Sequence, residues 1–579
     1  MRYSPNVTGN YLGGLAAHNG GGDAVICGPR RLDWAALARR VNRLASAMIA
    51  RGVRPGDKVA FLFHNTPAFI EVNFAAQVCG AVPVPVNYRF TAPEAERQLR
   101  HSDAAALFYD ERWAAAAEGA VAAMGEDAPW TVVRRRDPPS PYDELVASGS
   151  DVDPGVPTGW DDVAVMIYTG GTTGPPKGVM LTYGAHREMY AALLSQIITR
   201  GARLDLTDEQ LRRVIDTMPV PGLRYLAPLS RSRIAKRVFG HPRTGELVRR
   251  SLFELLARPE WARVGYRFAI RYMTPSMPFF HDASYQMLML GLMAGNLTFV
   301  LSDSPSFDPA VVLETVEREQ PFFLANVPTG WKKLVDHPDV ERRDLSSVRV
   351  AATGTGVCSA ALKRRIMAAF PGVIIIDMLG QTEMTPITSF RIDASPATVK
   401  DRSVGQTIVE ARVVDAQGRE LARGEAGEIW YRGSTVMKGY YKDRDGTAAA
   451  TRDGWLRSGD LGYIDEEGEL RIVDRLRECI NTGGEKVFPL EVEEVLGQHP
   501  AVELVCVIGV PDEEWGEAVR AVVQLRPGRR ASTRELTDFC REQLAGYKTP
   551  RSVVVVPELP LSPVGKVLRA RVRELHGTG

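Results

Sequence analysis

Between the apolar run Val163-Ala164-Val165-Met166-Ile167 and Lys177 lies a loop whose positions Thr169, Gly170, Gly171, Thr172, Thr173 and Gly174 are all threonine or glycine. Glycines let successive backbone N–H groups turn toward one anion, threonine hydroxyls add donors, and Lys177 adds charge, so a strand followed by this loop can cradle a polyphosphate. Lys177 follows Pro176 and is not followed by Ser or Thr, and no G-x-G-x-x-G opens a helix here, so neither the Walker loop nor the dinucleotide fingerprint is present. Glu383, Asp460 and Lys566 carry no such signal of their own. Read alone, Glu383 is a carboxylate after a strand, Asp460 a turn residue and Lys566 a solvated charge near the C-terminus.

These residues need a scaffold, and the chain carries one. From Trp34 to Ile49 apolar residues recur at helical spacing, Gly52 and Pro55-Gly56 stop the helix, and Lys58 to Phe63 reads as a strand. Pro67 to Cys79 and Ala81 to Val86 repeat the unit. Further short β-rich runs at Leu297–Leu301, Phe322–Ala325, Val348–Ala352 and Val373–Ile376 predict a doubly wound, largely buried sheet. Tyr285 to Leu301 lacks charge but is broken by Gly291, Gly295 and Asn296, and predicts a buried helix running into a buried strand rather than a membrane span. From about 405 to 474 strands with tight turns predict a β-rich subdomain, and from 475 to 579 a compact α+β segment follows. The expected class is α/β: a large N-terminal domain, residues 1–474, with layered doubly wound sheets plus the β-rich subdomain, and a small mobile C-terminal domain.

The 579 residues exceed what one core organises, which excludes a small binding module. Net charge is +1, from 71 Lys and Arg against 70 Asp and Glu, so nothing global points to nucleic acid or an anionic membrane. Residues 200–271 break the balance, with 15 Arg, Lys236 and 7 acidic residues giving 16 − 7 = +9 and leaving −8 elsewhere. Helical blocks at Leu247–Leu256 and near Ile270 suggest that this basic insertion is folded, either as an ordinary surface or as a docking face for an acidic partner. Six scattered cysteines without a CxxC pair and an N-terminus without an apolar core suit a reducing cytoplasm.

The loop from Tyr168 to Gly178 closely resembles the signature of the acyl-adenylate-forming superfamily, which holds acyl-CoA synthetases, luciferases and the adenylation domains of peptide synthetases. The resemblance extends to Gly380–Glu383, Gly454–Asp460, the hinge string Asp474-Arg475-Leu476-Arg477-Glu478, Gly483-Gly484-Glu485 with Pro489, and Ser562-Pro563-Val564-Gly565-Lys566-Val567-Leu568-Arg569, in the family's order. It implies that Thr169 to Lys177 hold the β- and γ-phosphates of ATP, that Thr382 donates to the α-phosphate, and that Glu383 ligates Mg²⁺. It implies that Asp460 and Arg475 reach the ribose, that Lys566 bridges the attacking carboxylate and the α-phosphate, and that the C-terminal domain turns about Arg477 to present Gly483 and Gly484 to coenzyme A. Pro278-Phe279-Phe280-His281 resembles the stretch bordering the acyl pocket, with His281 as gate, and Ala352, Thr353, Gly354 and Thr355 resemble the loop lining that pocket and the adenine site. Leu379, beside Gly380 and Gln381, stands where relatives commonly stack an aromatic residue on adenine.

The expected activity is ATP-dependent conversion of a fatty or aromatic carboxylic acid to acyl-AMP, with pyrophosphate release, and then to acyl-CoA. Two alternatives stand beside it. The acceptor could be a carrier protein, reached through the +9 insertion, or an amine, or the activated group an unusual oxyanion; alternatively the chain could be a silent nucleotide-binding scaffold, against which Lys177, Glu383, Asp460 and Lys566 speak. The expected partners are small molecules, compatible with a homodimer but including no nucleic acid.

Overall fold

The computed structural model describes residues 4–136, 139–169, 176–201, 232–258, 260, 269–295, 297–356, 358–400, 403–482, 485–513, 515–562 and 565–577. The loop residues Gly170, Gly171, Thr172, Thr173 and Gly174, the pair Gly483–Gly484, and much of the basic insertion therefore lie outside the described residues. The first helical unit forms as its pattern dictates: Asp33 caps Trp34–Ala50 by accepting from the Ala36 N–H at 2.6 Å, and Leu37, Val41, Leu44 and Met48 are buried. The strand Lys58–Leu62 and the helix Pro67–Val78, capped by Thr66, follow.

Among the described residues the strands group into five sheets. The largest runs in space as Gln406–Thr407, Ile387–Asp393, Ile374–Gly380, Val350–Thr353, Phe323–Asn326, Ile270–Met273, Leu297–Leu301, Asp23–Cys27 and Arg30–Asp33. Its inner pairings from Ile374–Gly380 to Asp23–Cys27 are parallel, and its edges are antiparallel. A second, fully parallel sheet orders Val82–Pro85, Lys58–Leu62, Ala104–Asp110 and Trp130–Arg134. An aromatic line ties the two together: Phe61 meets Phe69 at 4.8 Å between ring centroids, Phe69 meets Phe279 at 5.4 Å, and Phe279 meets Phe299 at 6.3 Å. Each such pair contributes about 0.5–1.5 kcal/mol beyond burial, and the line fixes Phe279 two residues before His281.

One expectation is corrected. Ile270–Met273 is not helical but a central strand, parallel to both Leu297–Leu301 and Phe323–Asn326. Its β-branched and aromatic residues and the following Thr274-Pro275 favour an extended run, and pairing on both sides decides the matter. The helices Arg233–Gly240 and Pro242–Leu256 form, the second packing against Tyr183–Gly201.

The strands Val163–Thr169 and Lys177–Thr182, which flank the glycine- and threonine-rich segment in sequence, pair antiparallel and are extended at their edge by Gly439–Tyr440. A β-rich sheet of Glu410–Val414, Gly427–Arg432, Trp455–Ile464, Thr451–Arg452 and Leu470–Arg475 follows. Past the turn Leu476–Glu478 the last sheet begins at Ile480, with its own apolar clusters around Val492, Leu496 and Val507 and around Ile508, Val522 and Val572. Five cysteines are buried and Cys479 is partly so; burial pushes the Cys27 thiol up to about 11. Among the described residues no helix is long and apolar enough to cross a membrane.

Candidate active site

The hairpin sets Thr169 opposite Lys177. Lys177 Nζ pairs with Asp443 Oδ2 at 3.0 Å and stands 4.5 Å over the Tyr440 ring. The Tyr440 hydroxyl donates to Glu383 Oε1 at 2.8 Å, so one phenol joins the phosphate lysine to the carboxylate expected to hold a metal. Burial, then Glu383, holds the Tyr440 phenol well above the usual tyrosine range, and the hydrogen bond from Lys177 holds the Asp443 carboxyl below its own.

Glu383 sits on the turn Thr382–Met384, directly after the strand Ile374–Gly380 and Gln381. Gly380 is required: a Cβ there would lie 1.9 Å from the Pro386 carbonyl oxygen, which accepts from Gln381 N–H at 2.9 Å. The Glu383 carbonyl accepts from Met437 N–H at 2.8 Å, and the Thr385 hydroxyl donates to the Thr435 carbonyl at 2.7 Å, clamping the turn to the Tyr440 segment. Leu379 packs half-buried against the main core, and its carbonyl accepts from the Thr388 hydroxyl at 3.3 Å.

The neighbouring strand ends in the pocket loop. Ala352 and Thr353 are buried, and the Ala352 carbonyl accepts from Trp331 Nε1 at 2.9 Å. A Cβ on Gly354 would lie 3.0 Å from the Met378 carbonyl oxygen, so this loop runs against the strand that carries Leu379. Thr355 adopts φ +64°, a strained conformation for a β-branched residue, costing on the order of 1–3 kcal/mol and characteristic of binding loops.

Asp460 and Arg475 face each other across an antiparallel pair and are joined by an ion pair of 2.6 Å, with Asp460 buried and Arg475 partly open. Lys566 projects from a tight turn in which Gly565 N–H donates to the Ser562 carbonyl at 2.8 Å and Lys566 N–H to Ser562 Oγ at 3.1 Å. The turn abuts the N-terminal body, where the Thr329 hydroxyl donates to the Gly565 carbonyl at 3.4 Å; a second bridge, Lys332 to Glu503, measures 3.0 Å. Although the Lys566 side chain is solvent-accessible, surrounding protein, then Arg475 and Arg569, lowers its ammonium pKa against the opposing pull of Asp460 and Glu493. Burial and then Lys566 lower the His281 imidazole to about 4, which places the gate candidate in the field of the lysine.

The structure thus joins Lys177, Tyr440 and Glu383 in one chain, sets Lys566 in the field of Asp460 and Arg475, places His281 in the field of Lys566, and runs Gly354 against the strand that carries Leu379. Arg477 lies on the linking turn Leu476–Glu478. The sequence reading missed Tyr440 and Asp443, whose only local signal is a polar aromatic and an acid after Gly439, and gave no role to Arg569, which binds Glu493 at 2.6 Å and stands 3.9 Å from Asp474 and Glu478 around the link.

Residues 15–220 and 254–441 match the AMP-binding enzyme family, and residues 491–566 match the AMP-binding enzyme C-terminal domain. The intervening 221–253 fall within the basic insertion. Feruloyl-CoA synthase of Amycolatopsis sp is 34% identical over 556 residues, covering 96% of both chains. The fatty acid–[acyl-carrier-protein] ligase ScoC of Streptomyces coeruleorubidus is 29% identical, covering 96% of this chain and 94% of its own. The ATP-bound crystal structure of MatB from Rhodopseudomonas palustris superposes with a TM-score of 0.78 over 99% of both chains at 24% identity, and so shares the fold. The chain belongs to the AMP-binding enzyme family, in the acyl-CoA synthetase branch of the acyl-adenylate-forming superfamily.

Proposed function

We propose that the protein activates a carboxylic acid with ATP and transfers the acyl group to coenzyme A. The observation that carries this reading is that Lys566 lies in the field of the Asp460–Arg475 pair and of His281, while Lys177, Tyr440 and Glu383 form a second linked group. In the first step a carboxylate oxygen attacks the α-phosphorus, a P–O bond forms, and the bond to pyrophosphate breaks. Negative charge grows on the phosphoryl oxygens and the leaving group, where fixed cations stabilise it. Lys566 meets the α-phosphate and the attacking carboxylate, Thr382 donates to the α-phosphate, Lys177 meets the outer phosphates, and Asp460 with Arg475 holds the ribose. Glu383 is a hard oxygen donor, and among the described residues Tyr440 engages only its Oε1, so the residues fit a Mg²⁺ ion. When bound, that ion would neutralise phosphate charge. In the second step the thiol sulfur attacks the acyl carbonyl and loses its proton, and the bond to AMP breaks.

The division into a body, 1–474, and a cap, 475–579, turning at Arg477 belongs to this proposal, as does a cytoplasmic site of action. The acid is proposed to be aromatic or fatty, in line with the relatives. A second reading has a carrier protein as acceptor, favoured by the basic helices Arg233–Gly240 and Pro242–Leu256 and by the carrier-protein ligase among the relatives. Pyrophosphate release over fatty and aromatic acids, with CoA, with a carrier protein and with neither, tests both. The first reading expects thioester formation on CoA; turnover only with the carrier protein would replace it by the second.

A further inference from the structure

A cavity lined by none of the residues assigned to ATP, acid or coenzyme A has a volume of about 350 Å³, within the range of about 300–1,000 Å³ that takes small-molecule ligands. Six arginines line it. Arg30 and Arg31 come from the strand Arg30–Asp33 at one edge of the largest sheet, and Arg40 from the helix Trp34–Ala50. Arg134, Arg135 and Arg136 stand at the carboxyl end of Trp130–Arg134, the edge strand of the second parallel sheet. Against them the lining holds two carboxylates, Glu71 and Asp143. The Cys27 thiol feels Arg30 and Arg134 together, so the two sheet edges bring their cations to one place.

Three of these guanidinium groups are fixed by buried carboxylates. Arg40 donates to Glu71 through Nε at 2.8 Å and Nη2 at 2.9 Å, and the Tyr142 hydroxyl donates to Glu71 Oε2 at 2.6 Å. Arg134 Nη1 donates to Asp110 Oδ2 at 2.8 Å, and Arg31 Nη2 to Glu319 Oε2 at 2.9 Å. Glu71, Asp110 and Glu319 are all buried. A guanidinium carries five N–H donors, so each of the three arginines is held in place and keeps donors for a second anion. Arg30 and Arg135 are exposed, and among the described residues neither has a carboxylate within 4.0 Å, so their charges stay uncompensated at the cavity.

We infer that this cavity is a second anion site, separate from the ATP cleft, and that it binds a diphosphate group. Arginine forks match phosphate oxygens in pairs. In a cavity of this size, guanidinium groups contributed by two sheet edges suit two linked phosphates better than one. Val25, Leu32, Pro67 and Ala68 give the lining an apolar part that accommodates an uncharged remainder such as a nucleoside. Two sources carry this chemistry: the pyrophosphate released in the proposed adenylation, and the diphosphate of a nucleotide.

Equilibrium dialysis of the full chain at about 0.15 M salt measures binding of labelled ADP, pyrophosphate and inorganic phosphate, with saturating sulfamoyladenosine filling the cleft without adding phosphate. One equivalent of ADP or pyrophosphate should bind, more tightly than inorganic phosphate, and the double variant Arg30→Gln/Arg135→Gln should weaken that binding by about 10-fold or more. Both side chains are exposed, so the variant should unfold at the wild-type temperature and keep its rate of pyrophosphate release from acid and ATP. Tighter binding of ADP names a nucleotide as the source and tighter binding of pyrophosphate names the released product, and either result upholds the site. Binding of neither diphosphate with the cleft filled, equal binding of inorganic phosphate, or binding unchanged in the folded double variant overturns the inference and leaves acid activation standing.

Discussion

The charged residues assigned to ATP and the buried layer behind His281 are built on opposite rules. Among the former each charge has a protein partner: Lys177 has Asp443, Arg475 has Asp460, and Glu383 has Tyr440. In the buried layer behind His281, Asp282, His186 and Asn73 each keep a buried atom unmet among the described residues. The first arrangement holds side chains in place and, on the acid-activation proposal, is exchanged for ligand contacts when ATP enters; the second leaves polar atoms unmet within the core. Nucleotide binding should therefore be sensitive to the loss of the buried charge Asp460, less so to the exposed Asp443, and indifferent to the acid.

The strongest way to break this contrast is at Lys566, which lies in the field of Asp460 and Arg475 and itself acts on His281. Lys566→Ala should slow acyl-adenylate formation by about 100- to 1000-fold, the scale of losing one charge-stabilising donor. Thermal unfolding should hardly move, because the side chain is accessible. Next in size, Asp460→Ala should raise the KM for ATP by about 10- to 100-fold, as expected for a hydrogen bond to a charged group, with acid KM unchanged by initial-rate kinetics. The pH profile sharpens the same point. A lowered ammonium pKa means the proton leaves earlier, so the alkaline fall in adenylation should come below the ordinary lysine value of 10.5, and Lys566→Arg should push it upward. His281, at about 4, is neutral from about pH 5 upward and should leave no inflection near pH 6.5. The smallest effect is expected at Asp443→Ala: its pair with Lys177 is partly exposed, so freeing the lysine should change ATP affinity by no more than about 5-fold in a binding titration.

Much of the cleft was legible because its residues sit in short strings whose roles depend on local backbone. Gly380 precedes Glu383 because the Pro386 carbonyl excludes a side chain, and Gly565 precedes Lys566 at φ +72°. Alternation of apolar runs likewise announced the parallel sheets. What escaped depends on distance along the chain. Tyr440 is 57 positions from the Glu383 it touches, and no spacing rule couples them. Asp282 looks like an ordinary helix-start acid until the facing helices bury it and leave one oxygen unmet. Ile270–Met273 was misread because four residues carry almost no periodicity, and only pairing on both sides identifies a central strand.

The central claim is that Lys566 serves the first half-reaction and not the second. Single-turnover measurement of Lys566→Ala separates them: one arm starts from acid and ATP, the other from pre-formed acyl-AMP and CoA. The account predicts a loss of about 100-fold or more in the first arm and near wild-type thioester formation in the second. Equal losses in both arms, or none in the first, would contradict it.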